Sequence, residues 1–243
     1  MTTLAIPRRF NGPPNSANGG WFSGRVAQLV HEATRSAAEA AVTVRLHAPP
    51  PLEVTLALEG DGTSYRMSHG GTLLATAELA ADLPAPPGGP VTFAEAAAVA
   101  TAYEGLVEHP FPTCFSCGTE RTDAMSLRPA RLPGPGGAAR ADGAYAAAWT
   151  AAEVSVPVLW AALDCPGGWC AGIAGRPMVL GTMTAQLHRH PEPGEPCVVM
   201  AWPRGGRGRR FDSTTGLFGV GGDLLGRADA IWIAVNPAAV QPR

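Results

Sequence analysis

The 243-residue chain is 46% hydrophobic and 16% charged, with a formal net charge of −2. Its length suits one large domain or two of about 100–120 residues each, and its charge offers no broad attraction to nucleic acid or to an anionic membrane, so neither is expected as a partner. All 18 positively charged side chains are arginine, which excludes a Schiff-base lysine, a phosphate-loop lysine and a lysine general base.

The N-terminal stretch MTTLAIPRRFNGPP has no apolar leader segment, and no run nears the ~20 apolar residues of a membrane span, so a cytoplasmic protein is expected. The first predicted element follows Asn18-Gly19-Gly20. Phe22, Val26, Leu29, Val30, Ala33 and Ala37 recur at helical spacing on one face and Arg25, Gln28, Glu32 and Arg35 share the other, which predicts an amphipathic helix of about four turns. The period then changes to two. Val42, Val44 and Leu46, then Leu52, Val54, Leu56 and Leu58, alternate with polar or small residues as half-buried strands do. The turns Gly60-Asp61-Gly62 and Gly70-Gly71 flank a strand around Tyr65 and Met67 and lead into TLLATAELA, completing a four-stranded meander.

After Leu83 the composition changes to LPAPPGGP. Thr92-x-x-Glu95 then forms a capping box before the alanine-rich AEAAAVATA, predicting a spacer helix outside the main core. The second half ends in strands of the first kind, and Gly70-Gly71-Thr72-Leu73-Leu74 is echoed by Gly221-Gly222-Asp223-Leu224-Leu225, which reads as a duplication. Its helix has two possible registers. Starting at the second Gly-Gly-Trp, Gly167-Gly168-Trp169, leaves only about two turns with glycines inside, so a start at Ser155 with Pro157 in the first turn is favoured. On that register the helix breaks near Pro166 and Asp164 closes its first segment.

Five cysteines without a secretory signal point to reduced thiols rather than disulfides. Cys114-x-x-Cys117 could be half of a zinc site, completed by Cys165 and Cys170 or by His109. The second half has no paired C-x-x-C, so a plain reduced pair, with no metal, is the expected state.

A helix followed by an antiparallel meander, twice in one chain, resembles the double hotdog fold. SANGGW, VTVRLHAPPPLEVTLALE and GTLLATAEL in the first half, with VLWAALDCPGGW and GDLLGRADAIWIAV in the second, are similar to thioesterase-like proteins of the acyl-CoA thioesterase II type. The resemblance implies an α+β fold of two tandem helix-plus-sheet units forming a pseudo-dimer: 1–83, a Pro/Gly linker with its spacer helix at 84–112, and 113–243. It also implies hydrolysis of an acyl-CoA or acyl-carrier-protein thioester without a cofactor, in a protein that can pair further as a homodimer.

Thioester hydrolysis passes through an oxyanion, and a glycine-led helix N-terminus offers free N–H groups at the positive end of a dipole, so the amides of Gly20 and Trp21 are the expected donors. Asp164 matches the family's catalytic aspartate, Thr184 its hydroxyl residue. The family's glutamine near the last strand has no counterpart, since Ala230 falls there, leaving Gln186 or Gln28 as substitutes. The first helix carries no acid in that region. Asn18 would cap the first helix or bind substrate, and Gly168 and Trp169 would border an acyl tunnel or serve as core. Arg204 and Arg207, in RGGRGRR, would grip coenzyme A phosphates or form a solvated loop tip. Cys165 is read as inert or nucleophilic. Two other readings stay open: a non-catalytic hotdog pair that binds an acyl-CoA or related lipid, and a dehydratase, weakened by the missing Asp-x-Asn-Pro-x-His signature.

Overall fold

The computed structural model describes residues 2–138 and 140–236. The first half runs β1 (Thr2–Ala5), α1 (Gly19–Thr34), β2 (Val42–Leu46), β3 (Thr55–Gly60), β4 (Tyr65–His69) and β5 (Thr72–Leu79). A connecting segment follows with α2 (Phe93–Val99) and β6 (Ala130–Arg131). The second half then runs β7 (Tyr145–Thr150), α3 (Val156–Cys170), β8 (Met178–Leu187), β9 (Pro196–Arg207), β10 (Arg210–Gly219) and β11 (Leu224–Ala234).

All eleven strands join one antiparallel sheet in the order β1-β3-β4-β5-β2-β8-β11-β10-β9-β7-β6. Counted outward from the β2–β8 seam, β2-β5-β4-β3-β1 matches β8-β11-β10-β9-β7, so the duplication extends to topology. Each unit is strand, helix, four strands. The strand ahead of each helix escapes sequence reading because Thr2–Ala5 is too short and Tyr-Ala-Ala-Ala-Trp-Thr does not alternate. The glycine-led turns at 70–71 and 221–222 are equivalent, joining β4 to β5 and β10 to β11. The two Gly-Gly-Trp triplets are not, since one opens α1 and the other closes α3.

α1 buries Phe22, Val26, Leu29 and Val30 as its periodicity predicts, but it stops about a turn early. Arg35 takes the left-handed C-cap conformation (φ 54°), so Ala37 lies beyond the helix and exposed, and Ala33 in the last turn is exposed as well. α3 starts after Ser155 as expected, yet it does not break at Pro166 and runs on to Cys170. A proline inside a helix costs ~3 kcal/mol. Continuing past the proline buries Trp169 and Cys170, together on the order of 3 kcal/mol, which offsets that cost. Hydroxyl groups also serve nearby carbonyls: Ser116 Oγ donates to Ala161 O at 2.9 Å and Thr215 Oγ1 to Leu163 O at 2.8 Å.

The two long helices pack antiparallel beneath the sheet, and glycine is what brings them close. A Cβ on Gly24 would meet Trp160 Cβ at 2.7 Å and Pro157 Cα at 2.8 Å, and one on Gly20 would meet Trp160 O at 2.7 Å and collide with Asp164. Gly20 and Gly24, one turn apart, thus form the groove that receives the α3 ridge of Pro157, Trp160 and Asp164. α2 keeps its capping box and covers a separate cluster that includes Ala96, Val198, Met200, Trp202 and Phe218. No helix among the described residues is long and apolar enough to cross a membrane.

Candidate functional site at the junction of the two helices

The N-terminus of α1 abuts the C-terminal half of α3, and there the two halves exchange a polar contact. The Gly20 N–H donates to Asp164 Oδ2 at 2.8 Å. Asp164 is 2% exposed, and its other oxygen, Oδ1, is buried without a partner. Burial pushes this carboxyl up to about 7, with Cys114 adding to the rise, against the pull of the Gly20 N–H and the Asn18 amide. Asn18 is the N-cap of α1: its Oδ1 accepts from Trp21 N at 2.8 Å. That bond orients the amide, so Nδ2 points to Cys114 Sγ at 3.6 Å and Cys165 Sγ at 3.7 Å.

Asp164, Asn18, Cys114 and Cys165 line a cavity of about 50 Å3 together with Gly19, His109, Trp169 and Trp232. His109 has both ring nitrogens engaged. Nδ1 accepts from Phe111 N at 2.9 Å, so Nε2 carries the hydrogen and donates to Cys117 O at 3.1 Å. The Cys114 and Cys165 sulfurs are 3.7 Å apart. Hydrogen bonds from the Cys117 and Cys165 thiols, and from the N–H groups of Cys117 and Ser116, pull the Cys114 thiol well below its usual range. The contact with Cys114 pushes Cys165 up, and burial pushes Cys117 up.

The structure thus brings together Asp164, Gly20, Trp21, Asn18 and Trp169. It does not bring the remaining assigned residues to them. The Gly20 and Trp21 amides already have acceptors, so neither is free for an oxyanion. The Gly19 N–H, first in the helix, has no partner among the described residues and borders the cavity. Thr184 lies on the opposite face of the sheet: its neighbours Met183 and Ala185 point into the core, so its own side chain points out, where its Oγ1 meets Thr43 Oγ1 at 2.8 Å. Gln28 sits two turns along α1, past the level of Pro157. Gln186 holds the linker, donating to Asp82 and accepting from Leu83 N, so neither glutamine replaces the missing one. Gly168 packs on the Trp232 ring, where a Cβ would lie 3.0 Å from it. Arg204 and Arg207 are exposed near the β9–β10 turn, outside the cavity.

Sequence reasoning raised Cys165 as a zinc partner of the C-x-x-C pair. It also raised Cys170 and His109, and the fold selects among the three. Cys170 turns away, its thiol donating to Gly167 O at 3.2 Å. A larger groove of about 610 Å3 crosses the outer face at the β2–β8 seam, lined by Arg45, Glu78 and Arg210 among others, and it contains none of the assigned residues.

The chain matches no protein-family model and no curated protein sequence. Solved structures are similar to it over nearly their whole length. The dehydratase domain of PpsC from Mycobacterium tuberculosis, solved with C12:1-CoA, aligns with a TM-score of 0.61 at 13% identity, covering 96% of this chain and 92% of that one. The acyl-CoA thioesterase II TesB2 from Mycobacterium marinum aligns at 0.57 and 12%, covering 98% and 93%. A protein of unknown function with a hot dog fold from Alicyclobacillus acidocaldarius aligns at 0.58 and 14%, covering 97% and 93%. At such identities the likeness speaks for architecture, and with the matched strand order of the two halves it establishes that this chain has the double hotdog fold.

Proposed function

We propose that the protein hydrolyses an acyl thioester, carried on coenzyme A or on an acyl-carrier protein, at the cavity between α1 and α3. One observation carries the reading: the Asp164 carboxylate of the second half is buried beside the cavity, anchored through one oxygen by the Gly20 amide of the first half, and left with its other oxygen buried without a partner. A buried, unpaired carboxylate oxygen is costly, and a site for general-base chemistry is a reason to retain one. Thioesterases and a dehydratase solved with an acyl-CoA among the similar folds support the choice of substrate class.

In the proposed reaction Oδ1 takes a proton from water as that water attacks the thioester carbonyl. The oxyanion forms beside the Gly19 N–H and the positive end of the α1 dipole. Collapse expels the thiolate, which takes the proton back from Asp164, so one water and one thioester become one acid and one thiol. A cavity of about 50 Å3 holds a water and a carbonyl but not an acyl chain, a water occupying ~30 Å3 of liquid. The acyl chain would therefore extend beyond it, past Gly12 and Pro13, which border the cavity. A panel of acyl-CoAs with free thiol followed in time tests the reading. Asp164→Asn should lower turnover by ~10²–10⁴-fold, and an unchanged rate would refute the assignment.

A second reading is favoured by the occupied Gly20 and Trp21 amides and by the outward Thr184: a pair of hotdog units that binds an acyl-CoA without cleaving it. Thermal stabilisation by acyl-CoA with no thiol release would establish that reading instead.

A further inference from the structure

The Sγ atoms of Cys114, Cys117 and Cys165 all lie within 4.8 Å of one another, and we infer that these three residues bind one divalent, zinc-class metal ion as thiolates. The inference does not depend on thioester hydrolysis, because it concerns sulfur geometry rather than Asp164.

Distance is the first argument. Tetrahedral zinc with Zn–S bonds of ~2.3 Å holds its sulfurs ~3.8 Å apart, and the Cys114–Cys165 separation is 3.7 Å. A disulfide would need ~2.05 Å. Burial is the second, since all three thiols are free and buried, out of reach of the bulk solvent that a nucleophilic or redox-sensing cysteine uses. The third is the surrounding donor set. Three thiolates and a dication leave one negative charge in the core, and that charge is met. Asn18 Nδ2 points at two of the sulfurs. The Trp169 indole N–H is buried without a hydrogen-bond partner, and Trp169 borders the same cavity as the three cysteines. Hydrogen bonds of this kind orient metal ligands and stabilise their charge. Soft sulfur ligands select zinc over the hard cations.

Binding forms three metal–sulfur bonds and breaks three S–H bonds, whose protons pass to water, and no oxidant is needed. His109 and Cys170 are already engaged, so a water in the cavity supplies the fourth ligand. The ion joins the loop that carries Cys114 and Cys117 to α3, beside the Asn18 cap of α1, and so fixes the wall of the Asp164 cavity.

The test uses the full chain, expressed with zinc and dialysed without chelator. Elemental analysis should find about one zinc per chain, and cobalt(II) in its place should give an intense near-ultraviolet thiolate-to-cobalt charge-transfer band. Cys165→Ser should weaken cobalt binding by ~10-fold or more, while Cys170→Ser leaves it unchanged. Should Cys165→Ser fail to fold, the wild-type cobalt spectrum decides alone. Asp164→Asn should keep its zinc, so loss of hydrolysis and loss of metal remain separate results. Wild type with no zinc and no charge-transfer band overturns the inference, whether its thiols prove reduced or joined in a disulfide on titration of the denatured chain.

Discussion

α1 and α3 hold the same place in the two halves of the fold, between one strand and the next four, yet they solve the burial problem differently. α1 keeps a polar face, with Glu32 exposed and Arg25 partly so, and contributes glycines, a cap and backbone N–H groups. α3 is buried from Pro157 to Cys170 and contributes the carboxylate and a thiol. After duplication, one helix could become wholly apolar because its twin, the sheet and the linker loop cover it on all sides. That enclosure makes a single unpaired carboxylate oxygen conspicuous. The copies thus bring different groups to their junction: glycines, a cap and backbone N–H groups from one, a buried carboxylate and a thiol from the other.

The sharpest way to break this comparison is at residue 164, where Asp164→Asn should leave the fold in place and remove turnover, as set out above. The next effect in size comes from the groove in α1. Gly24→Ala gains ~1 kcal/mol of helix propensity, but its Cβ would press on the Pro157 backbone and on Trp160 Cβ. Overpacking costs ~1–3 kcal/mol, and backbone yields little, so a net loss on the order of 1 kcal/mol is expected in urea unfolding. A gain in stability would mean that the helices do not approach as described. Asn18→Ala should follow, costing ~1 kcal/mol through the lost cap bond to Trp21. Its melting temperature should fall, and its cobalt complex should bind more weakly through the lost sulfur contacts.

Much of the architecture was legible in local pattern. Strands β2, β3 and β4 alternate, though β2 pairs with β5 instead of continuing as a meander into β3; the Gly-Gly-x-Leu-Leu turns repeat, and Thr92 with Glu95 marks the start of α2. Pro166 misled because its helix-breaking cost is local, whereas the burial that overrides it is tertiary. The pairing of Asp164 with the glycine-led end of α1 was legible once the duplication was seen. The use of Gly20 was not, because whether a glycine admits a ligand or a neighbouring helix depends on what packs against it, and here that is α3. The meeting of Cys165 with Cys114 and Cys117 likewise depends on how the linker loop folds back, tied by Ser116 to Ala161 and by the Phe115 N–H to Asn11 O.

The smallest effect belongs to the seam that joins the halves. Thr184 pairs across β8 and β2 with Thr43, hydroxyl to hydroxyl, on the face that turns away from both helices. A cross-strand pair of this kind contributes ~0.2–1 kcal/mol, so Thr184→Val should lower stability by that amount and leave the rate of thioester hydrolysis within about twofold. The two sides of one strand are thereby set against each other: Met183 and Ala185 face the helices and the core, Thr184 faces out. If Thr184→Val instead slowed turnover as strongly as Asp164→Asn at unchanged stability, the chemistry would belong to the outer face, where the larger groove lies, and the division of labour between α1 and α3 would be structural only.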